Sequence, residues 1–343
     1  MTPKPPLQAN SAPLPPGYTQ RPMTLADADD VARLHQVAAQ ARGEAQTFTA
    51  ETILARLQNP PCNLETDSQL ILNAEGQTAA FLALWDGINP THPWFEWEVM
   101  PGADWQPLAR AILTWGEQRA LQAMERCQPD ERFGPALAYN ADMLDQVAFV
   151  ESLGYDKIRY FYRMAITMQE APTVTPLPEG FTLRNFEYPA DLEALVTARE
   201  EIWKDHFAHI ERPLEEVMME WGYGIQYDPL FDASLWRLAI DNATGAIAGF
   251  IVARAENPTN AEQAYIHVLG VRRAYRKQGL AQALLTGIFA EFWNRDRKIV
   301  ALGVDASSPT GATRLYERVG MQPIYKSVFL EKEIRAGVER MNV

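Results

Sequence analysis

Several features that would reveal a compartment or a partner are scarce in this sequence of 343 residues. Cys62 and Cys127 are its only cysteines, too few for a disulfide framework or a zinc cage, so we expect two buried thiols and no bound metal. No apolar run reaches the roughly 18 residues that span a bilayer, and the first residues lack the apolar core of a signal peptide. These absences predict a soluble, cytoplasmic protein that makes no use of a membrane.

Positively charged residues are fewer than negatively charged ones. Lysine and arginine number 31 against 44 aspartate and glutamate residues, which leaves a net charge of −13. Such a charge repels polyanions, so nucleic acid is an unfavourable partner, whereas a ligand that carries an amine is attracted. With 47% hydrophobic residues, the composition is that of a globular protein, and the length fits about two domains of roughly 150 residues each.

The chain repeats one pattern twice. Three fragments of the first half recur in the second half, in the same order and at nearly constant spacing: 13–21 as 176–184, 73–84 as 242–253, and 149–155 as 315–321. Chance turn chemistry can explain one such match but not three in register. We therefore predict two copies of one domain, residues 1–168 and 180–343, joined by a proline-rich linker at 169–179.

Within each copy the hydrophobic pattern predicts a strand, one or two helices, a hairpin, a longer strand, a helix, a strand, a helix and a last strand. This order indicates the α/β class, with helices layered on a sheet.

The sharpest chemical signal is the segment 267–285, where a strand passes through a glycine turn into a helix. Backbone N–H groups at such a helix start point outward and bind phosphate. Gly279 lets the backbone approach an anion closely, and Ala281 keeps the first turn slim. Four basic side chains add positive charge: Arg272, Arg273, Arg276 and Lys277. A solvated loop with fortuitous charge is the alternative, and the usual nucleotide-loop motifs Gly-x-x-x-x-Gly-Lys-Ser/Thr and Gly-x-Gly-x-x-Gly are missing.

Residues 276–281, Arg-Lys-Gln-Gly-Leu-Ala, resemble the Arg/Gln-x-x-Gly-x-Gly/Ala signature of the GNAT N-acetyltransferases, and Val271 ends the preceding strand as in that family. The later segment 313–324, "TRLYERVGMQPI", resembles the second motif of the family. The whole chain is similar to its tandem members. The resemblance implies two GNAT-like domains, each a mixed, mostly antiparallel sheet flanked by helices, and acetyl transfer from acetyl-CoA to an amine.

The same resemblance implies where acetyl-CoA binds. The pyrophosphate would meet the six residues of the first motif, Arg276, Lys277, Gln278, Gly279, Leu280 and Ala281. Pantetheine would lie along the strand near Leu269 and Val271. The family often has an asparagine three residues before the alanine that corresponds to Ala312, and here that position is Pro309. The hydroxyls of Ser307, Ser308 or Thr310 could substitute for it, although capping of the helix is the favoured interpretation.

Two residues are candidates for proton transfer. The resemblance makes Tyr316 the general acid that protonates the leaving thiolate, a reasonable role because a phenol of pKa about 10 can protonate a thiolate whose thiol has a pKa of about 8.5. A core tyrosine is the alternative. His267 is the candidate base, since strand alternation predicts that it shares a face with Tyr265 and Leu269 and a pKa near 6.5 suits neutral pH. A histidine with a purely structural role is equally compatible with the sequence.

The first copy has lost these features. Where the second copy has its basic loop, the first has Asp104, which places negative charge at the phosphate position, and Pro107, which removes an N–H donor. Val150 stands in place of Tyr316. We therefore expect the first copy to be degenerate and to bind no cofactor, so that it braces the second copy or walls the acceptor site.

Acceptor recognition is expected in the acidic and aromatic stretch 199–224. Its candidate residues are Trp203, Asp205, His206, Phe207, His209, Glu211, Glu216 and Trp221. The two histidines lack a third metal ligand at a diagnostic position, and a plain amphipathic helix pair is the alternative.

These observations favour an N-acetyltransferase that acts on a primary amine of a small molecule. The alternative is a non-catalytic coenzyme A-binding sensor or scaffold, which would need the loop but neither Tyr316 nor His267. An interaction protein with a relic fold would have lost both loops. The sequence leaves the choice between a monomer and a homodimer open.

Overall fold

The computed structural model describes residues 13–339, apart from 45–46, 59–61, 88, 208, 210, 229, 258–259 and 309–310. Among these residues, no helix is both long enough and apolar enough to cross a bilayer.

The first copy follows the predicted order of elements, except that three helices, and not one or two, lie between its first two strands. They are β1 (Thr19–Arg21), α1 (Ala28–Ala41), α2 (Ala50–Leu57), α3 (Leu64–Asp67), β2 (Ser68–Leu72), β3 (Thr78–Trp85), β4 (Trp94–Val99), α4 (Trp105–Met124), β5 (Ala136–Asn140), α5 (Leu144–Ser152) and β6 (Asp156–Thr167).

The second copy follows the proline-rich linker and repeats this order without an α-helix corresponding to α3. Its elements are β7 (Phe181–Asn185), α6 (Leu192–Trp203), α7 (Leu214–Tyr227), β8 (Trp236–Asp241), β9 (Ile247–Arg254), β10 (Gln263–Val271), α8 (Leu280–Asn294), β11 (Ile299–Asp305), α9 (Ala312–Arg318) and β12 (Gln322–Glu331). The predicted hairpin joins β8 to β9 through Gly245, whose φ of +72° favours glycine. The α/β class and the mostly antiparallel, helix-flanked sheets are confirmed.

The chain divides into two compact units whose boundaries differ from those of the sequence repeats. One unit comprises residues 13–159 and 327–339, and the other comprises residues 160–326. In the first unit β12 pairs with β5, antiparallel, and in the second unit β6 pairs with β11, also antiparallel. Each unit therefore takes its last strand from the other repeat. The boundary drawn at residue 168 rested on the proline-rich segment, whereas hydrogen bonding between strands determines where each unit ends.

The second unit has an opening in its sheet between β10 and β11. These parallel strands pair from Gln263 opposite Ile299 to Ile266 opposite Leu302, and then separate although both continue. On its other side β10 remains paired with β9, with a bulge between Ile266 and Val268. Bulges bend a strand and interrupt its alternation. The bend accompanies a cleft between the two strands, and we call it the β10–β11 cleft.

Candidate active site

The predicted phosphate loop connects β10 to α8. Gly279 precedes the helix with a φ of +90°, and a Cβ built on it would meet nothing closer than Pro178, 3.9 Å away. The N–H of Ala283 donates to the Gly279 carbonyl at 3.0 Å, which is the first hydrogen bond of the helix type. The N–H groups before it, from Leu280 to Gln282, have no acceptor within the helix. The loop therefore presents donors beside an open glycine face, which suits a phosphate.

Leu280 and Lys277 show how the loop is held. The Leu280 side chain is buried in the core, so only its backbone can meet a ligand. Lys277 is exposed and has a φ of +63°, a left-handed conformation that turns the chain into the helix. Gln278 is exposed as well, and Ala281 is half-buried in the first helical turn.

The arginines of the loop are largely neutralised, which the sequence did not reveal. Arg272 donates through Nε to the Glu201 carboxylate at 2.6 Å. Both Arg273 and Arg276 pair with Asp205, with Arg276 Nη1 2.7 Å from its Oδ2. Arg276 Nε also donates to the Val271 carbonyl at 3.0 Å. Their main role in the structure is to tie the loop to the end of α6.

Asp205 therefore differs from the acceptor-binding residue expected from the sequence. Hydrogen bonds from Arg273, and then from Arg276, lower the pKa of its carboxyl to about 2. The carboxylate is ionised at any working pH and its partners are the two arginines. It holds the phosphate loop in place and is not a free anion for an amine.

His267 occupies the bulge of β10 at the start of the cleft. Its ring lies edge-on to Tyr265, with centroids 4.9 Å apart. Leu269 pairs with Ile251 and Val268 with Val252, so the bulge shifts the alternation by one residue. Leu269 therefore lies on the opposite face from Tyr265, contrary to the expectation from a regular strand, because His267 is the extra residue.

The proton affinity of His267 also differs from expectation. Although the imidazole is exposed on one side, surrounding protein atoms displace water from it, and this desolvation, with the charge of Arg254, lowers its pKa to about 4. The ring is neutral at pH 7 and able to accept a hydrogen bond. It is a weaker base than an ordinary histidine.

Tyr316 lies on α9 and is 7% exposed, packed in the core of the second unit. Burial raises the pKa of its phenol to about 12, so the hydroxyl is protonated throughout the physiological range. Leu269 and Val271 pack against the same core. A core position and a proton-donating role are compatible here, because only the hydroxyl needs to reach a ligand.

The predicted hydroxyl cap of α9 is wrong. Gly311, with a φ of +72°, caps this helix. Ser307 and Ser308 form a turn in which their N–H groups donate to Asp305. Thr310 and Pro309 lie outside the described residues.

The stretch after α6 is largely committed to internal contacts. Its pairs are His206 with Trp203, Phe207 with Phe161, His209 with Glu200, Glu211 with Lys204, Glu216 with Arg212, and Trp221 with Trp236. Burial lowers the pKa of both His206 and His209. In the described part of the chain no three His, Cys, Asp or Glu residues are grouped as metal ligands. The ring of Phe207 contacts Phe161 of β6, with centroids 6.2 Å apart.

The first unit has its own opening between β4 and β5, which pair in parallel at Trp94 and Ala136. A cavity of about 210 Å³ lies there, with Trp97 and Trp105 in its wall. An ion pair, Arg42 to Glu98 at 2.8 Å, also lines it. The loop before α4 differs from its counterpart, since the Asp104 carboxylate accepts a hydrogen bond from Tyr18 at 3.1 Å.

The sequence analysis did not identify Arg163 and Gly303, which lie near the β10–β11 cleft. Arg163 belongs to the first repeat and reaches the cleft because β6 pairs with β11 of the second unit. Arg163 of β6 pairs with Gly303 of β11. A Cβ at Gly303 would lie 3.3 Å from the Tyr265 hydroxyl, so the missing side chain makes room for that phenol. The alternating pattern of β6 was the available signal, but it does not say which strand β6 joins.

The chain is similar in sequence and fold to known acetyltransferases. The model of the Acetyltransferase (GNAT) family matches residues 195–321, which include the loop and Tyr316. Mycothiol acetyltransferases of Salinispora arenicola and Thermobispora bispora are 29% and 26% identical, over 85% and 87% of this chain and 88% and 93% of those proteins.

Solved structures agree. A GCN5-related N-acetyltransferase from Sphaerobacter thermophilus is 28% identical with a TM-score of 0.80, covering 95% of this chain and 99% of its own. A tandem GNAT protein from the clavulanic acid biosynthesis pathway has the same fold, with a TM-score of 0.69 at 16% identity over 94% of this chain and all of its own. Residues 195–321 thus match the GNAT acetyltransferase family, and the chain as a whole is similar to named acetyltransferases and has the fold of a tandem GNAT protein; it is an acyltransferase whose acyl donor is acetyl-CoA.

Proposed function

We propose that the second unit binds acetyl-CoA and transfers its acetyl group to a primary amine of a small molecule. The observation that carries this proposal is the coincidence of the β10–β11 cleft with the open face of Gly279 at the start of α8. The helix start would hold the pyrophosphate through its N–H groups. The edge of β10 that leaves β11 has unpaired backbone groups for pantetheine.

Acetyl-CoA supplies an activated thioester, and the protein would supply proton transfer. As the amine nitrogen bonds to the acetyl carbon, the carbon–sulfur bond breaks and the Tyr316 hydroxyl donates its proton to the departing sulfur. The proton lost by the nitrogen passes to His267, whose low pKa keeps the ring in its accepting form. Because this ring is exposed, water can carry the proton away. Each group returns to its starting state by exchange with solvent.

We propose further that the first unit holds no acetyl-CoA. Its loop places Asp104 where phosphate would lie, and Pro107 lacks an N–H. Its cavity is lined by the Arg42–Glu98 pair. The sensor or scaffold alternative is less favourable, since relatives similar over most of this chain are named acetyltransferases.

The test is calorimetric titration of acetyl-CoA into the wild type and two glycine variants. Gly279→Glu places a carboxylate over the helix start, whereas Gly245→Glu makes the same change in the β8–β9 turn. Both glycines have positive φ and no tight neighbour, so backbone strain is matched. We expect one site per chain, lost in Gly279→Glu and kept in Gly245→Glu. Absence of binding to the wild type at millimolar ligand, or equal loss in both variants, would reject the proposal.

A further inference from the structure

Arg163 stands on the face of the sheet that carries the proposed base. In β6 it lies opposite Gly303, and Phe161 lies opposite Asp305. Side chains of paired residues share a face. Tyr265, opposite Ala301 in β10, points to this face as well, since its hydroxyl approaches Gly303. The ring of His267 contacts Tyr265, which places all three side chains around the start of the cleft.

Gly303 is the first residue of β11 beyond its pairing with β10. Because it has no side chain, nothing from β11 stands between Arg163 and Tyr265. The charge of Arg163 acts on the Tyr265 hydroxyl, where it opposes the rise in pKa that burial causes. The guanidinium therefore lies close to the point where the two strands part.

No carboxylate in the described part of the chain balances the charge of Arg163. Among the described residues its side chain makes no hydrogen bond or ion pair, and its contact is with the Tyr325 ring, 6.0 Å from guanidinium carbon to ring centroid. Other arginines of this unit are paired: Arg184 with Asp191, Arg199 with Glu200, Arg212 with Glu220, Arg237 with Glu291, Arg254 with Asp228, Arg295 with Asp232 and Arg297 with Glu256. Arg314 and Arg318 are exposed.

A partly buried guanidinium without a counter-charge is unusual in a protein of net charge −13, because burial of an unpaired charge is unfavourable. An anionic ligand would supply the missing partner. The phosphates of acetyl-CoA do not fit this role, because their proposed site at the start of α8 is too far away. Val271, which precedes that site, lies about 16 Å along β10 from Ile266 at 3.3 Å per residue. A single guanidinium with two parallel N–H donors matches a carboxylate.

We propose that Arg163 binds a carboxylate of the acceptor, so that the acceptor is an amino acid or another small amine that carries a carboxylate. This inference rests on the proposed function and specifies its substrate class. Arg163 would fix one end of the acceptor on β6. The amine at the other end would then face His267 across the gap left by Gly303.

The experiment measures thiol release from acetyl-CoA with matched acceptors: L-leucine, L-phenylalanine and L-lysine, their carboxamides, and the amines that remain after removal of the carboxylate. The variants are Arg163→Met, which removes the charge, and Arg163→Lys, which keeps the charge but not the paired donors. Lys326→Met is the control, because Lys326 also lies over a tyrosine ring, 4.1 Å from the centroid of Tyr160. Thermal unfolding verifies that each variant is folded.

We expect the wild type to prefer at least one amino acid over its carboxamide and decarboxylated amine. Arg163→Met should lower kcat/KM for that amino acid about 10- to 150-fold, the range for hydrogen bonds to a charged group, and change the values for the uncharged analogues less than threefold. The kcat/KM of Arg163→Lys for that amino acid should lie between the values of the wild type and Arg163→Met, and the kcat/KM of Lys326→Met should equal that of the wild type. A wild type that prefers the decarboxylated amines, or an equal loss for all three acceptor classes in Arg163→Met, would overturn the inference. If the proposed function is wrong, no acceptor will release thiol with the wild type or any variant. That result would reject both the proposed function and this inference.

Discussion

The Asp205 carboxylate lies 2.7 Å from the guanidinium of Arg276, across the junction of α6 with the phosphate loop. This pair fixes the loop before any ligand binds, and it also places a negative charge beside the proposed phosphate site. The two effects oppose each other in cofactor binding.

We expect Asp205→Asn to bind acetyl-CoA more tightly at low salt. Arg276 stays anchored through its bond to the Val271 carbonyl, while one negative charge near the phosphates is lost. Two unit charges about 8 Å apart interact by around 1 kcal/mol at an effective dielectric constant of about 40, which corresponds to roughly fivefold in Kd. Calorimetric titration at 20 mM and 500 mM salt measures the effect, which should shrink at high salt. Weaker binding at both salt concentrations would show that Asp205 favours acetyl-CoA binding by ordering the loop more than it opposes binding by its negative charge.

The titration of His267 offers a second prediction. Its imidazole should titrate near pH 4 in the folded protein, against an ordinary value of 6.5. Because the unfolded chain binds this proton first as the pH falls, His267 lowers the free energy of unfolding between about pH 6.5 and 4. The midpoint can be read from imidazole NMR shifts, with His267→Gln identifying the signal. Arg254→Gln removes the nearby positive charge and should raise the pKa, and a midpoint near 6.5 in the wild type would contradict the environment described.

Removal of the Tyr316 hydroxyl should affect turnover and not binding. Tyr316→Phe keeps the buried ring in the core, and we expect kcat to fall about 10²- to 10⁴-fold, as for loss of a general acid. The Kd for acetyl-CoA should stay within twofold. Tyr223→Phe, at an exposed position on α7, serves as the matched control. An unchanged kcat in Tyr316→Phe would mean that another group or water protonates the thiolate.

Stability of the first unit should depend on Arg119, which is 1% exposed. It pairs with the buried carboxylates of Asp67 and Asp86. Arg119→Met would leave both carboxylates buried without this partner and should lower the free energy of unfolding by about 3–5 kcal/mol. The exposed pair of Arg33 with Asp30 provides the control, since Arg33→Met should cost less than about 1 kcal/mol. Urea unfolding followed by circular dichroism distinguishes the two.

Local features of the site could be predicted from the sequence. The turn at Gly279 and the helix after it depend on neighbouring residues, and glycine followed by an apolar helix pattern indicates both. The same holds for the β8–β9 hairpin and for the order of elements. The repeat supported these predictions because the same pattern occurs twice.

Features that depend on distant residues could not be predicted. The counter-charges of the loop, Glu201 and Asp205, precede Arg272 and Arg276 by 71 residues, so the basic loop looked free to bind phosphate. The bulge at His267 arises from its pairing with β9, and a strand pattern does not show it. The last strands of the two repeats have similar alternation, and for that reason the sequence assigned each to its own copy.

The exchange of β6 and β12 has a consequence for how such a chain can change. A cut in the proline-rich segment would give two fragments, and each would lose the strand that completes its sheet while retaining one that belongs elsewhere. The first repeat can therefore lack a phosphate loop and still be required. Its final strand, β6, carries Arg163 and completes the sheet of the second unit, which has the phosphate loop. Because a strand of the other repeat completes each unit, each repeat depends on the other to fold, whether or not it binds a ligand.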